Sequence, residues 1–199
     1  MIRFVPNILT FIRLALSLVF LAMILNYPAF ESAEPAKSAR YLDWSFVLFI
    51  IAALTDIIDG KIARKYNASS KLGRMLDPLV DKVLICGAFI CFAIIGQPLL
   101  FKLTGYALLV IQWGVAGIIT SREVAMTIIR QIAESRGINF AAKPAGKLKM
   151  FVQSFAVGTI IVKMAHFPES AWANWFTLVI LVFAAIITVT SAISATRRK

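Results

Sequence analysis

The sequence predicts an all-α polytopic membrane protein with six transmembrane helices, and three observations carry that prediction. Hydrophobic residues fill 60% of the 199 positions, fifteen of them Phe, and the mean hydropathy is +0.83, too apolar for a soluble globule of this size. Apolar runs long enough to cross a bilayer recur along the chain, separated by polar connections containing Pro, Gly and charge. The formal net charge of +11 falls unevenly between alternate connections, as in multi-pass membrane proteins. A basic chain can also bind nucleic acid, but runs this apolar make membrane lipids the expected partner and exclude a nucleic-acid role. Residues 1–199 read as a single integral-membrane domain.

The first span is expected over about residues 8–27, with Pro6 and Asn7 near its start. Arg13 lies about one turn inside, where it can reach the interface or line a polar cleft. It also interrupts the run, and no small-x-small site ends it, so this stretch reads as a retained helix and not a cleaved signal peptide. Residues 28–41, with two prolines, read as a loop, followed by a second span over 42–63 with Trp44 at one interface and Asp56 at its polar end. After a short basic connection, Asp77-Pro78 reads as the start of the third helix. Proline is tolerated in a first turn, and the Asp carboxylate can cap free amides. That span runs to about 95 and ends at Gly96-Gln97-Pro98.

The fourth span begins near Leu103, and its pattern continues through Arg122, Glu123 and Arg130, past the expected edge of the lipid. Residues 131–149 form the longest polar connection. The fifth span, 148–164, is short and contains Gln153, Ser154 and Lys163; the sixth covers 175–193 and stops at Arg197-Arg198-Lys199. Three outer segments hold Lys37, Arg40, Lys102 and Lys163 against Glu31, Glu34, Asp43 and Glu169. Removing these from the 21 basic and 10 acidic residues leaves 17 against 6, so the other face carries the whole +11. The positive-inside rule then places both termini and the basic face in the cytoplasm, where anionic headgroups would also be held. Cys86 and Cys91 lack metal or redox spacing and read as small buried side chains. His166 falls in an outer loop, away from any expected chemistry, and Trp172 and Trp175 read as interface anchors.

Within residues 55–82 lie four carboxylates, Asp56, Asp59, Asp77 and Asp81. Spacings of three and four put each pair on one face of its helix. If the two helices are neighbours, the four converge at the inner interface, where like charges need cations or protons among them. Gly60 and Ala63 remove bulk beside the first pair, Gly73 does so before the second, and Arg64 offers a fork for phosphate or carboxylate. Hard oxygen ligands with room for a phosphoanhydride suit Mg²⁺ or Mn²⁺. A proton or cation path, or a set of snorkelling interfacial charges, accounts for the same residues less fully.

The run Asp56-x2-Asp59-Gly60-x2-Ala63-Arg64-x8-Gly73-x3-Asp77-x3-Asp81 resembles, without departure, the signature of the CDP-alcohol phosphotransferases. Asn7-Ile8-Leu9-Thr10-x2-Arg13 looks like that family's amino-terminal element. Arg122-Glu123 through Arg130, then Gly146-Lys147-Leu148-Lys149, resembles its phosphatidylglycerophosphate-forming branch in bacteria. Leu18 departs from that branch, many of whose members have proline there.

The resemblance implies the CDP-alcohol phosphotransferase fold for the whole chain as one catalytic domain. It also implies phosphatidyl transfer from CDP-diacylglycerol to sn-glycerol 3-phosphate, giving phosphatidylglycerophosphate and CMP. By the same likeness, Asp56, Asp59, Asp77 and Asp81 would hold two metal ions, Asp81 would be the general base, and Gly60, Ala63, Arg64 and Gly73, with Asp56, would receive the CDP part. Asn7 and Thr10 would hydrogen-bond the cytosine or diphosphate, although a helix cap explains Asn7 too. Members form homodimers of six-helix subunits with the cleft open to the cytoplasm, implying a bacterial cytoplasmic-membrane enzyme.

The acceptor's phosphate needs cations of its own, and Arg122, Arg130 and Lys147 are the expected set; the competing reading of Arg122 is a salt bridge to Glu123. Lys143, Lys149 and the terminal basic residues read as topology and headgroup anchors. Other acceptors, such as inositol phosphate, serine or phosphatidylglycerol, would leave the carboxylate centre unchanged. A divalent-cation transporter would need polar residues through the outer halves of the spans, where Val83 to Ile95 is nearly all apolar.

Overall fold

The structure, a computed structural model, describes residues 5–31, 34–66, 71–101, 103, 105–135 and 144–196, leaving aside the side chains of 5–9, 29–31, 56–66, 71–79, 81, 130, 134–135, 144–147 and 194–196. Among the described residues there are six helices and no strand: α1 Val5–Glu31, α2 Pro35–Tyr66, α3 Lys71–Ile94, α4 Gly105–Ser135, α5 Pro144–His166 and α6 Ala171–Thr196. Two compact units divide them, Met1–Ile95 with α1 to α3 and Gly96–Lys199 with α4 to α6. In the first, α1 packs against both α2 and α3; in the second, α6 packs against both α4 and α5.

Five helices contain a stretch long and apolar enough to cross a membrane: Thr10–Pro28, Pro35–Thr55, Gly105–Ala133, Leu148–His166 and Ala171–Ile193. Among the described residues α3 offers the shorter apolar stretch Lys82–Ile94, so five of the six expected spans are found there. At 1.5 Å per residue, α4 is about 46 Å long, well beyond a hydrocarbon core of about 30 Å. Its length leaves room for a polar end beyond the lipid, which the pattern through Arg122 and Arg130 suggests.

Two boundaries differ from the sequence reading. The loop expected over 28–41 is helical at most of its positions: α1 carries Pro28 in its last turn, and α2 begins at Pro35. A proline in the first turn loses no intrahelical hydrogen bond, so Pro35 opens a helix where a loop was expected. The third helix starts at Lys71 and not at Asp77-Pro78. Lys71, Leu72, Arg74, Met75 and Leu76 are good helix formers, and their run outweighs the hydrogen bond that Pro78 forgoes. The expected stop is present: α3 ends at Ile94, and Gly96 takes φ 70°, a left-handed conformation that glycine adopts without strain. Leu18 leaves α1 unbroken.

Buried positions follow a helix-packing seam. On α1 they are Thr10, Arg13, Ser17, Phe20, Ile24 and Tyr27, alternating three and four apart; on α2 they are Ser38, Leu42, Ser45, Phe49 and Ala52. That alternation keeps one stripe facing a neighbour. Phe20 meets Phe49 at 5.3 Å between ring centroids, and the Tyr41 hydroxyl donates to the Met23 carbonyl at 3.0 Å. The α1–α3 contact is close at Gly87, where a Cβ would lie 2.7 Å from Leu21 Cδ1.

Because the obstructing atom ends a flexible side chain, Gly87→Ala should be tolerated by a shift of Leu21. Gly87→Leu should lower stability by about 1–3 kcal/mol through overpacking, read as an earlier unfolding transition in detergent. Equal stability of the two variants would mean that α1 and α3 do not approach so closely.

Candidate functional site

The carboxylates fall on two helices of the first unit, Asp56 and Asp59 on α2, Asp77 and Asp81 on α3. Their side chains, and those of Asn7, Gly60, Ala63, Arg64 and Gly73, lie outside the described residues. Helix register nevertheless places their positions. The α1–α2 contacts pair Tyr27 with Ser38, Met23 with Tyr41 and Phe20 with Phe49. One number falls as the other rises, so the helices are antiparallel. Each pair sums to between 64 and 69, which puts α2 residues 54–59 level with Thr10.

The four residues between α2 and α3 span at most about 14 Å beyond one peptide step, so α3 starts where α2 ends and runs parallel to α1. The contact of Leu21 with Gly87 gives an offset of 66, bringing Asp77 level with Phe11 and Asp81 with Ala15. All four Asp positions thus share one end of the unit with Thr10 and Arg13, which lie 5% and 2% exposed on the buried seam of α1. Since α1 begins at Val5, Asn7 sits within its first turn and is not a residue preceding the helix. Among the described residues no three His, Cys, Asp or Glu side chains group together, so the four Asp remain the candidate ligand set. Their all-oxygen donors fit Mg²⁺ or Mn²⁺.

In the second unit, polar side chains from three helices meet. Arg122 pairs with the neighbouring Glu123 at 3.1 Å and donates from its Nη2 to Ser191 Oγ at 2.8 Å. Lys149 Nζ on α5 pairs with the same Glu123 Oε1. Ser191 Oγ donates to the Thr188 carbonyl at 2.9 Å, and Gln153 Nε2 donates to Thr188 Oγ1 at 3.0 Å. Glu123, Lys149, Gln153, Thr188 and Ser191 are all buried. The ion pair anticipated for Arg122 is therefore present, in a site that also carries a second cation. Arg130, eight residues along α4, is about 12 Å further up the helix; its side chain and that of Lys147 lie outside the described residues, as do Lys143 and residues 197–199.

Lys149 corrects the sequence reading. It was expected as a headgroup anchor, but α5 starts at Pro144, so Lys149 is already in the second turn and faces the bundle, 6% exposed. The polar residues that made the fifth span doubtful also find partners. Gln153 is bonded to Thr188, and Lys163, 3% exposed, donates to the Pro168 carbonyl at 3.0 Å. Glu123, Gln153, Thr188 and Ser191 were not singled out as site residues. Their only signal was polarity at helical spacing within apolar spans. Cys86 and Cys91 are buried free thiols, as expected; His166, expected in a loop, is the last residue of α5 and is exposed beside Phe167.

The sequence matches the CDP-alcohol phosphatidyltransferase family over residues 3–190. It is 31% identical over 192 residues to a "Probable phosphatidylglycerophosphate synthase" of Mycobacterium tuberculosis, covering 96% of this chain and 79% of that protein. It is 33% identical over 178 residues to a "CDP-diacylglycerol--glycerol-3-phosphate 3-phosphatidyltransferase" of Bacillus subtilis, covering 85% of each. A "Putative cardiolipin synthase" of Mycobacterium tuberculosis is 30% identical over 135 residues, 68% of this chain and 53% of that protein.

The polar contacts of the second unit can be probed without any activity. Thr188→Val keeps the shape of the side chain but removes the acceptor for Gln153, leaving a buried amide unsatisfied. Stability in detergent should fall by about 1–3 kcal/mol, measured by thermal or denaturant unfolding. An unchanged transition would show that Gln153 finds another partner at no loss.

Proposed function

The chain belongs to the CDP-alcohol phosphatidyltransferase family, and we propose that it transfers the phosphatidyl group of CDP-diacylglycerol to sn-glycerol 3-phosphate, releasing CMP. What carries this reading is the near full-length likeness to proteins named for that reaction, together with the complete eight-residue motif on α2 and α3. The cardiolipin-type relative supports a second reading, with phosphatidylglycerol as acceptor, over a smaller share of both chains.

In the proposed reaction Asp81 takes the proton from the acceptor's primary hydroxyl. That oxygen forms a bond to the phosphorus bearing diacylglycerol as the bond to the CMP oxygen breaks. Asp56, Asp59, Asp77 and Asp81 would hold two Mg²⁺ or Mn²⁺ ions, which supply charge neutralisation for the diphosphate when bound. Gly60, Ala63 and Gly73 leave space for the CDP part, Arg64 offers its guanidinium to phosphate, and Thr10 and Asn7 lie at the same end of the unit to hydrogen-bond it. Arg122, Arg130 and Lys147 receive the acceptor phosphate. Only the headgroup must reach the carboxylates, and the acyl chains stay in lipid. The charge surplus supports a bacterial cytoplasmic membrane with both termini and the site on the cytoplasmic side, and family likeness supports a homodimer.

CMP release from CDP-diacylglycerol, measured on purified protein in detergent with Mg²⁺ or Mn²⁺, should require glycerol 3-phosphate. It should fail with inositol phosphate, serine or phosphatidylglycerol, and turnover with phosphatidylglycerol alone would establish the second reading. Asp81→Asn should reduce turnover by about 10²–10⁴-fold while CDP-diacylglycerol still binds; substantial residual activity would remove Asp81 as the base. Arg130→Ala should raise the KM for glycerol 3-phosphate more than that for CDP-diacylglycerol, and equal rises would take Arg130 out of the acceptor set.

A further inference from the structure

The buried network of the second unit contains a carboxylate for which the proposed reaction has no use. Glu123 is 8% exposed on a helix of a membrane protein, where an isolated charge is strongly disfavoured. Two of its partners are cations, Arg122 and Lys149, bound through the same Oε1 atom. Arg122 is fixed at two points of its guanidinium, Nη1 on Glu123 and Nη2 on Ser191. Its Nε is buried with no hydrogen-bond partner among the described residues. A held guanidinium with a spare buried donor is arranged to receive an anion.

We propose that Glu123 is a positioning residue that holds Arg122 and Lys149 for the phosphate of the acceptor, a role that rests on the function proposed above. It acts through its two cations and does not touch the acceptor. The anchoring is shared by three helices: α4 carries Arg122 and Glu123, α5 carries Lys149, and α6 carries Ser191, itself tied to the Thr188 carbonyl. Without the carboxylate, each long cationic side chain regains its rotamer freedom, and ordering it again on binding weakens the site.

The sign of the effect separates positioning from simple charge balance. Glu123→Gln keeps the shape and deletes the charge. If Glu123 only offset positive charge, its loss would attract a dianion more strongly and lower the KM for glycerol 3-phosphate. Positioning predicts the reverse, a rise of about tenfold or more with the KM for CDP-diacylglycerol unmoved, and partial recovery in Glu123→Asp. An unchanged or lowered acceptor KM, or equal rises for both substrates, overturns the proposal.

Should Glu123→Gln fail to fold, the double variant E123Q/K149M removes both halves of the buried pair. A raised acceptor KM is again expected, and a wild-type value overturns the proposal. The unsubstituted enzyme tests the underlying function separately. If it uses a different phosphorylated acceptor, the same KM comparison is made with that acceptor. If it uses only a phosphate-free acceptor, both readings fall. If it turns over nothing, inorganic phosphate should still raise its unfolding temperature, and that shift should be lost in Glu123→Gln; no shift in the unsubstituted protein overturns the proposal.

Discussion

Lipid hydrocarbon offers polar groups no hydrogen bonds, and the arrangement of side chains in this chain follows from that constraint. Large apolar residues such as Phe11, Trp44, Phe151 and Val179 are exposed, whereas Arg13, Ser17, Ser45, Gln112, Glu123, Lys149 and Gln153 are buried. A soluble protein shows the reverse. Hydroxyls turn back on their own helices: Ser17 bonds the Arg13 carbonyl, Thr159 that of Phe155, and Thr190 that of Ile186. Such back-bonding satisfies a donor without a partner helix.

The same constraint decides where chemistry can occur. Charges are disfavoured in the hydrocarbon and retained near its edge, so a reaction between a lipid-anchored donor and a charged, water-soluble acceptor belongs at a helix end. Short connections make such an end common to several helices. With few residues between α1 and α2 and between α2 and α3, the start of α1, the end of α2 and the start of α3 come to one level. In the second unit, contacts of Glu123 with Lys149 and of Arg122 with Ser191 bring the middle of α4 together with the start of α5 and the end of α6. Arg13 is buried at the level of the Asp positions.

Helices, their order and the membrane setting were legible in the sequence because long apolar runs leave little else for the backbone to do. The stop at Gly96 was legible because a left-handed residue ends a helix for a local reason. Boundaries at Pro35 and Lys71 were not, since proline is compatible with both a loop and a first turn, and helix propensity carried α3 back past Pro78. Asp56 to Asp81 stood out through fixed spacing. Glu123 and Lys149 did not, because basic residues near a span edge usually anchor topology, and only packing distinguishes an anchor from a buried pair.

The proposed transfer joins water-soluble glycerol 3-phosphate to a lipid-held phosphatidyl group, and the charge surplus proposes the cytoplasmic side for it. Sealed membrane vesicles of opposite orientation test it most directly, because glycerol 3-phosphate does not cross lipid unaided. With vesicles carrying this protein and CDP-diacylglycerol, labelled glycerol 3-phosphate should enter the lipid fraction when the cytoplasmic face is outward. It should do so with the opposite orientation only after the vesicles are opened with detergent. Label entering lipid from the other face of intact vesicles, or no label in lipid under any of these conditions, would contradict it.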